Sequence, residues 1–442
     1  MNEPETLDLR ARVAANPGGR VAVRLAAAVD AQRAVAPAVA VFDRGGAVAV
    51  DAPERIGAAG MPTVDLPAHV ALPPLVNAHA HLDLTNVGAL PFDGTFADWA
   101  GAVRARRATT PAEIAAAVHE GARRAAAGGT GFIGDIAGNF GMAALEALRD
   151  AAPAAGLRGV SFVEAFGIGS ASGRGTEFLR GLRAQAPDER GGIRLGVSPH
   201  APYSCDDAVY AAAAALGLPV ATHLAETLDE LRFVQDGSGP FADLLRTVGA
   251  WTPDLRGWGT GPVERVLPAL RGSGAALVHL NYLSDAALEA LAREAAGAGG
   301  PVAVYCPRAS AYFRHPVPGH APHRYRDMLA AGIPVALGTD SAIVLGDAPT
   351  ISVLDEMRAL SRRDGADPAQ LVAMATVHGA RALGVDPAEV RLPGAAGGAA
   401  RAMVAVRMAG GANVNAAPGP AAAIAALRTA LDGNAPCEWL WK

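Results

Sequence analysis

From about residue 71 onward, short runs of apolar and β-branched residues alternate with longer segments rich in Ala, Leu and Arg. The short runs contain almost no polar positions, which is typical of parallel strands buried on both faces. Several of the longer segments begin with a helix-start signal, such as Thr110-Pro111 or Ser284-Asp285, and end at Gly. The alternation predicts repeated strand–helix units. The eight predicted strands are residues 72–81, 130–136, 159–166, 193–200, 219–224, 275–280, 301–306 and 334–339.

Eight such units predict an α/β fold, a (β/α)8 TIM barrel, over residues 71–384. The two ends of the chain have a different pattern. Short strand-like runs occupy the first part, and the Gly/Ala/Pro-rich tail contains one clear run of this kind. We therefore predict that residues 1–70 and 385–442 together form a small β-sandwich domain beside the barrel. The strands predicted for it are residues 21–25, 38–42, 47–50 and 402–408.

Composition narrows the class of protein. Hydrophobic residues make up 51% of the 442 positions, which indicates a globular chain, and the net charge of -5 includes no polybasic segment, so we expect no nucleic-acid partner. No basic-plus-apolar leader is present at the N-terminus, and the Ala-rich stretches are interrupted before they reach membrane-spanning length. We therefore expect no membrane association and a cytoplasmic location. The widely spaced Cys205, Cys306 and Cys437 argue against a disulfide framework and a zinc knuckle.

Lysine is almost absent, and this bears on the kind of metal site. Lys442, the last residue, is the only lysine in the chain, while arginine is common. Some two-metal hydrolase sites are bridged by a carbamylated lysine inside the barrel, and no lysine here can take that role. The natural prediction is a site with one metal ion.

Polar residues occur at the predicted strand ends, where the working residues of a (β/α)8 barrel lie. His79 and His81 end the first strand, and their spacing of two residues directs both side chains to the same side. His223 ends the fifth strand and Asp340 follows the eighth. Three imidazoles and one carboxylate suit Zn²⁺ or Fe²⁺ and leave a position for water. We predict one divalent transition metal, Zn²⁺ in preference to Fe²⁺, with His79, His81, His223 and Asp340 as ligands.

Three residues are predicted to act on the bound water, whose pKa the metal lowers toward neutrality. Glu226 lies three residues after His223 and can carry a proton between water and a substrate nitrogen. Its alternative role is a helix-start carboxylate stabilised by the helix dipole; the His-x-x-Glu spacing favours the catalytic role. His279, at the end of the sixth strand, can orient hydroxide or polarise the leaving group. Asp340 can accept the water proton while it binds the metal.

Four further residues are candidates for substrate contact. His200 follows the fourth strand, and the sequence favours neither substrate contact nor a structural loop role. Trp99 and Tyr203 can stack on a flat substrate or pack in the core. Arg308 follows the seventh strand; it either binds substrate or pairs with an acidic neighbour, and we favour the first role.

Three histidines cluster in a Pro-rich segment after Arg308. His315, His320 and His323 can form a second metal patch or belong to a solvated loop. We favour the solvated loop.

Five phrases of the sequence, between about residues 70 and 385, resemble motifs of the amidohydrolase superfamily in its deaminase and chlorohydrolase branch. They occur in the family's order. Within that branch, residues 96–99, 304–308, 311–315 and 352–358 resemble the aminodeoxyfutalosine deaminase-like group. The five phrases are Leu-Pro-Pro-Leu-Val-Asn-Ala-His-Ala-His-Leu at 72–82, Ser-Pro-His-Ala-Pro-Tyr at 198–203, His-Leu-Ala-Glu at 223–226, His-Leu-Asn-Tyr at 279–282 and Gly-Thr-Asp-Ser at 338–341.

The resemblance implies a metal-dependent barrel that replaces an amino group on a purine, pyrimidine or similar heterocycle with oxygen and releases ammonia. The resemblance does not decide whether the protein forms a homodimer, which we keep as a possibility. The chain departs from the group at Ala309-Ser310, where Thr-His is frequent, and in the loop at residues 342–347. Because both segments surround the substrate pocket, two alternatives stay open. One is a chlorohydrolase or related enzyme that expels halide or alkylamine. The other is a catalytically silent barrel used for binding. The chain argues against this alternative, because it keeps every metal-ligand and proton-shuttle position.

Overall fold

A computed structural model describes residues 8–138, 141–182, 189–397, 402–411 and 418–442. The strands are β1 Arg20–Val29, β2 Ala34–Val35, β3 Ala38–Asp43, β4 Gly46–Asp51, β5 Thr63–Leu72, β6 Leu75–His81, β7 Thr130–Ala137, β8 Arg158–Ala165, β9 Glu189–Arg190, β10 Ile193–Pro199, β11 Ala221–Leu224, β12 Ala276–His279, β13 Val302–Tyr305, β14 Val335–Leu337, β15 Asp340–Ser341, β16 Met403–Arg407 and β17 Cys437–Trp441. The α-helices are α1 Leu9–Ala15, α2 Phe96–Arg106, α3 Pro111–Ala127, α4 Met142–Ala155, α5 Ser172–Leu182, α6 Asp207–Ala214, α7 Leu228–Asp236, α8 Pro240–Thr247, α9 Pro262–Val266, α10 Asp285–Ala295, α11 Pro307–Tyr312, α12 Tyr325–Ala330, α13 Val353–Asp364, α14 Pro368–Ala375, α15 Val377–Leu383 and α16 Pro420–Asp432.

Two sets of parallel strands form the central part of the molecule. In the first set β6, β7, β8 and β10 are neighbours, and in the second β11, β12, β13 and β14 are neighbours. A parallel bridge between Val197 and Val220 joins the sets on one side, and β15, which follows β14 in the chain, pairs with β6 on the other. Helices connect most of these strands. The fold is TIM-barrel-like, and each of the eight predicted strands overlaps an observed strand.

A second sheet combines both ends of the chain. Its strand order is β17-β16-β5-β1-β3-β4, and β2 pairs with β1. The rings of Phe42 on β3 and Trp441 on β17 stack with centroids 5.9 Å apart, although three strands separate β3 from β17 in the sheet. The sheet therefore curls around a core of its own. We predicted a sandwich of two sheets. Within the described residues, the strands from the two chain ends instead pair into one curved sheet.

Two prolines separate the second sheet from the barrel-like part. The predicted first strand, residues 72–81, begins too early, because Leu72 is the last residue of β5. Pro73 and Pro74 follow, and β6 begins only at Leu75. Proline has no N–H to donate to a strand ladder, so the pair ends one strand before the next begins.

Helix α3 shows how local sequence fixes an element in the position that was predicted. Thr110 accepts a hydrogen bond from the backbone N–H of Glu113, and the Glu113 carboxylate accepts one from the N–H of Thr110. This reciprocal cap satisfies two amide groups at the helix start. Among the helices of the described residues, none combines the length and the apolar character needed to span a bilayer. All three cysteines are buried and free.

Candidate active site

The four predicted metal ligands lie together at the C-terminal ends of the parallel strands. The Nε2 atoms of His81 and His223 are 3.3 Å apart, and Asp340 Oδ1 is 3.8 Å from His81 Nε2. The ring of His79 lies edge-on to His81 and His223, with centroid separations of 4.9 and 5.1 Å. Potential ligand atoms of His79, His81 and Asp340 fall within 4.8 Å of one another, as do those of His79, His223 and His279. The side chains therefore converge on one point.

A buried asparagine connects the two strands that carry three of these residues. The Asn77 side-chain oxygen accepts the N–H groups of His79 and Thr339, at 3.3 and 3.2 Å, and its Nδ2 donates to Thr339 Oγ1 at 2.7 Å. The pairing of β6 with β15 places Asp340 opposite Ala80. The sequence reasoning did not single out Asn77, although a polar residue inside an apolar strand is a visible signal.

The chemistry of His79 fits a bound metal. Its side chain is fully buried, and neither ring nitrogen has a hydrogen-bond partner among the described residues. A buried polar atom without a partner carries a desolvation cost, which a metal bond to one nitrogen removes. Burial, followed by the neighbouring His81, His223 and His279, lowers the pKa of His79 well below its usual value. The neutral imidazole that results is the form that binds metal.

The tautomer of His223 points to the same role. His223 Nδ1 lies 3.1 Å from the backbone oxygen of His200, which makes Nδ1 the protonated nitrogen. Nε2, the nitrogen near His81, then has its lone pair available. A backbone carbonyl that receives the second ring N–H is the usual partner of a metal-binding histidine. The residues present thus fit a divalent metal ion.

Glu226 and His279 face each other beside the four convergent residues. Glu226 Oε1 lies 3.4 Å from His279 Nε2, and both side chains are almost fully buried. Burial, followed by the charges of Asp340 and Glu230, raises the pKa of Glu226 well above its usual value. Burial lowers the pKa of His279 well below its usual value. The two groups are close enough to exchange a proton.

The backbone just before Glu226, and at His279 and the residue after it, adopts an unusual conformation. Ala225 has a φ of 52°, and His279 and Leu280 have φ values of 77° and 52°. Left-handed backbone at non-glycine residues is strained and persists only where the surroundings fix it. Asn281 ties the two turns together, since its Nδ2 donates to the backbone oxygen of Glu226 at 3.0 Å.

A cavity of about 550 Å³ opens onto the site. Three of the four predicted substrate residues line it, namely His200, Trp99 and Tyr203. Tyr203 stacks on Phe241 with a centroid distance of 3.7 Å and an interplanar angle of 4°, so Phe241 already covers one face of its ring. The indole N–H of Trp99 donates to the hydroxyl of Tyr312 at 3.0 Å. Both aromatic residues therefore have packing partners as well as exposure to the cavity.

Arg308, the fourth residue predicted to contact substrate, has an acidic partner. Its Nε lies 2.5 Å from Glu356 Oε1, and its backbone N–H donates to Glu356 Oε2 at 2.9 Å. Glu356 is completely buried, and Arg308 is not among the residues that line the cavity. A buried carboxylate needs a charged partner, and Arg308 supplies it. The structure thus pairs Arg308 with a buried carboxylate and places it outside the cavity lining.

The three loop histidines have different environments. The solvated-loop prediction is wrong for His323, which is only 8% exposed and stacks on Tyr305 at a centroid distance of 3.5 Å. His315 Nδ1 lies 2.7 Å from the hydroxyl of Tyr282, and His320 is exposed. Within the described part of the chain, the three do not form a group that could hold a metal ion.

Two charged residues of the cavity wall were missed. Glu164, at the end of β8, lies 3.8 Å from His200 Nε2 through its Oε1 atom. Arg107 binds the buried carboxylate of Asp83 with an Nη2–Oδ2 distance of 2.5 Å. Glu164 could have been found from the sequence, because it is a carboxylate at the end of an apolar strand. Arg107 lies just past α2 and follows no predicted strand, so no sequence signal indicated it.

Comparison with known proteins agrees with this arrangement. Residues 70–390 match the sequence model of the amidohydrolase family. The aminodeoxyfutalosine deaminase of Deinococcus radiodurans is 30% identical over 338 residues, which cover 71% of this chain and 73% of that protein.

Solved structures show the same fold. The aminofutalosine deaminase of Helicobacter pylori has a TM-score of 0.71 at 19% identity, with 94% of this chain and 97% of that chain covered. A variant of atrazine chlorohydrolase from Arthrobacter aurescens, complexed with zinc and atraton, has a TM-score of 0.68 at 20% identity, with 92% and 91% covered. At such identities the likeness establishes the fold alone, but the family model spans most of the chain. The resemblance predicted from the five motifs is confirmed, and the chain belongs to the amidohydrolase family.

Proposed function

We propose that this amidohydrolase is a metal-dependent deaminase, a hydrolase of carbon–nitrogen bonds other than peptide bonds. Its substrate is an adenosine-like heterocycle whose exocyclic amine is replaced by oxygen from water, with release of ammonia. The observation that carries the proposal is the convergence of His79, His81, His223 and Asp340 beside the Glu226–His279 pair. All of these except His79 line one cavity. The deaminase relative supports the same reaction class.

We assign one divalent ion to His79, His81, His223 and Asp340, with Zn²⁺ preferred to Fe²⁺ because a mixed imidazole–carboxylate set suits it and a fold neighbour carries zinc. When bound there, the ion supplies a Lewis acid that makes water a nucleophile at neutral pH. The only lysine, Lys442, lies beside Trp439 in the second sheet, which supports one ion rather than a lysine-bridged pair.

The chain's own residues handle the protons. Glu226 takes a proton as water oxygen bonds to the amine-bearing carbon, and it delivers that proton to the adjacent ring nitrogen. Asp340 accepts the second proton of the water. The carbon–nitrogen bond then breaks, and the amine takes up the proton held by Asp340 and leaves as ammonia. His279, close to Glu226, stabilises the charge that develops on the oxygen.

The form of the cavity supports a substrate larger than a bare ring. Cavities of about 300–1,000 Å³ usually hold drug-sized ligands, and this one measures about 550 Å³. Leu244 and Val248, the large apolar side chains with the greatest exposure in the described part of the chain, both line it. We propose that they contact an apolar substituent of a nucleoside, while His200, Trp99 and Tyr203 contact the heterocycle.

The strand arrangement leads us to propose further that residues 71–384 form a closed eight-stranded catalytic barrel. Residues 1–70 and 385–442 form the accompanying β domain. The pairing of β15 with β6 and the bridge between Val197 and Val220 support closure, because they link the two parallel sets on both sides.

A substrate panel tests the proposed function. The zinc-loaded protein is assayed with aminodeoxyfutalosine, 5′-methylthioadenosine, adenosine and a chlorotriazine, and ammonia and chloride are measured separately. Ammonia release from at least one of the nucleosides supports the deaminase. Chloride release from the triazine without ammonia from any nucleoside would replace it with the halide-expelling alternative, which the altered residues Ala309-Ser310 and the fold likeness to a chlorohydrolase favour. No product from any compound, with metal bound, would favour the silent barrel.

A further inference from the structure

The turn at the end of β12 is strained in a way that matters for His279. His279 and the next residue, Leu280, both have left-handed backbone, with φ values of 77° and 52°. An L-residue leaves this region unless its surroundings hold it there. If φ of His279 returned to the extended range, its Cα–Cβ bond would turn away from Glu226, whose Oε1 is now 3.4 Å from His279 Nε2.

The bond that holds the carbonyl of His279 comes from a histidine 44 residues later in the chain. His323 Nε2 lies 2.8 Å from the backbone oxygen of His279. The other ring nitrogen of His323, Nδ1, accepts the backbone N–H of Tyr325 at 3.1 Å. Because one nitrogen accepts, the neutral ring carries its proton on Nε2, and that N–H donates to His279.

His323 is itself held in place by its neighbours. Its ring stacks on Tyr305, with a centroid distance of 3.5 Å and an interplanar angle of 11°. The hydroxyl of Tyr305 accepts a hydrogen bond from Arg363 at 2.9 Å, and the hydroxyl of Tyr325 donates to Asp364 at 2.9 Å. The ring of His323 is therefore fixed from its face and at both nitrogens.

We propose that His323 is a positioning residue for the reaction. Its Nε2–H bond to the backbone of His279 keeps the left-handed turn that directs the His279 imidazole at Glu226. The proposal rests on the proposed function, in which His279 acts on the reacting group. It gives a role to one of the loop histidines that the metal site does not use.

Two substitutions at His323 separate the hydrogen bond from the packing. His323→Phe keeps a flat ring against Tyr305 but has no donor, and His323→Gln replaces the ring with an amide that can donate. For H323F we expect kcat to fall about 10- to 100-fold, because a small misplacement of a catalytic group has effects of this size. KM and the metal content per chain should change little, and H323Q should recover most of kcat.

The control is His378, which also donates from a ring nitrogen to a backbone oxygen, that of Val335 at 3.0 Å, but lies outside the cavity lining. His378→Phe should lower Tm by a similar amount and leave kcat unchanged. If H323F lowered Tm as H378F does and kept its kcat, His323 would be a packing residue only, and the proposal would be overturned. If H323F does not fold, His323→Met, which matches Gln in length but has no donor, carries the same comparison with H323Q.

A crystal structure of the variant distinguishes this inference from the proposed function. In H323F, or H323M, we expect residue 279 to leave the left-handed region and its Nε2 to move out of hydrogen-bonding range of Glu226. An unchanged turn would refute the positioning role even if the enzyme were active. If the turn changed in the variant but the wild type deaminated none of the compounds, the proposed function would be refuted. The structural part of the inference would remain intact.

Discussion

The carboxylate of Glu230 accepts the backbone N–H of Glu226 at 2.8 Å, so that one buried glutamate fixes the backbone of another. Its second oxygen accepts the N–H of Ala225, the left-handed residue just before Glu226, at 2.7 Å. Glu230 is completely buried, and burial raises its pKa to about 7. The proton carrier of the proposed reaction is thus held by a group one helical turn further along the chain.

Replacing Glu230 by Gln should lower kcat while the metal content stays at one ion per chain. The amide has only one oxygen, so one of the two backbone N–H groups loses its acceptor, at a cost of about 1–3 kcal/mol in the free energy of unfolding. Urea denaturation and ammonia release measure the two effects. Asp229→Asn, at the neighbouring position, should change neither, and an E230Q variant with full kcat would contradict the role of this turn.

Glu226→Gln should keep the metal and lose the reaction. The amide has nearly the same shape but cannot carry a proton, and general acid–base catalysis contributes about 10²- to 10⁴-fold to rates. Elemental analysis and ammonia release are measured on the same preparation. A variant with more than about a tenth of the wild-type kcat would mean that another group moves the proton.

His79→Ala should abolish metal binding and activity together. Neither ring nitrogen of this buried side chain has a hydrogen-bond partner among the described residues, so its removal takes away a ligand and no side-chain hydrogen bond. The measurement is metal per chain after purification and after zinc is added back. His69→Ala, in the second sheet, is the control and should bind one ion per chain. A wild-type value near two would overturn the one-metal assignment.

Arg308→Met should destabilise the fold rather than weaken substrate binding. The substitution leaves Glu356 buried without its charged partner, which typically costs about 3–5 kcal/mol of unfolding free energy. Denaturation curves report this loss. KM should stay within about twofold of the wild type, because a twofold change corresponds to about 0.4 kcal/mol, the size of coupling expected between positions that are not in contact. A large rise in KM with unchanged stability would restore the pocket role that the sequence favoured.

Leu244→Ser and Val248→Ser should act on substrate preference. Each removes apolar surface from the cavity rim, where burial of one methylene is worth about 0.8 kcal/mol, or roughly fourfold in affinity. We expect the ratio of kcat/KM for 5′-methylthioadenosine over adenosine to fall about threefold to tenfold. Thr247→Ala, on the same helix but outside the cavity lining, is the matched control. An unchanged ratio would show that the apolar substituent does not reach α8.

Much of this arrangement was predictable from sequence, because buried parallel strands are continuous apolar runs and the chemistry of a barrel lies where such runs end. His79, His81, His223 and Asp340 were singled out in this way, and the structure brings their side chains together. The partner of Arg308 could not be identified from the sequence, because Glu356 is 48 residues away and no local pattern indicates it.

His323 and Glu230 were beyond the reach of sequence reasoning for a related reason. Both act through hydrogen bonds to backbone atoms of strained turns, and a pattern of residue types reveals neither the turn nor the bond. The single curved sheet in place of a sandwich has a similar origin, since strand pairing between the two chain ends is decided by long-range contacts. Strand β5, which bridges the two parts, was not predicted because it contains Pro67, and proline argues against a strand.

The bond between Asn77 and Thr339 joins positions 262 residues apart, at the place where β15 pairs with β6. A ribosome must therefore have released nearly the whole barrel before His79, His81 and Asp340 can meet. A nascent chain that stops short of β15 carries His79, His81 and His223 but lacks Asp340, so the proposed ligand set is incomplete. The proposed metal ion would therefore gain its full ligand set, and add its binding energy to the fold, only after β15 has paired with β6.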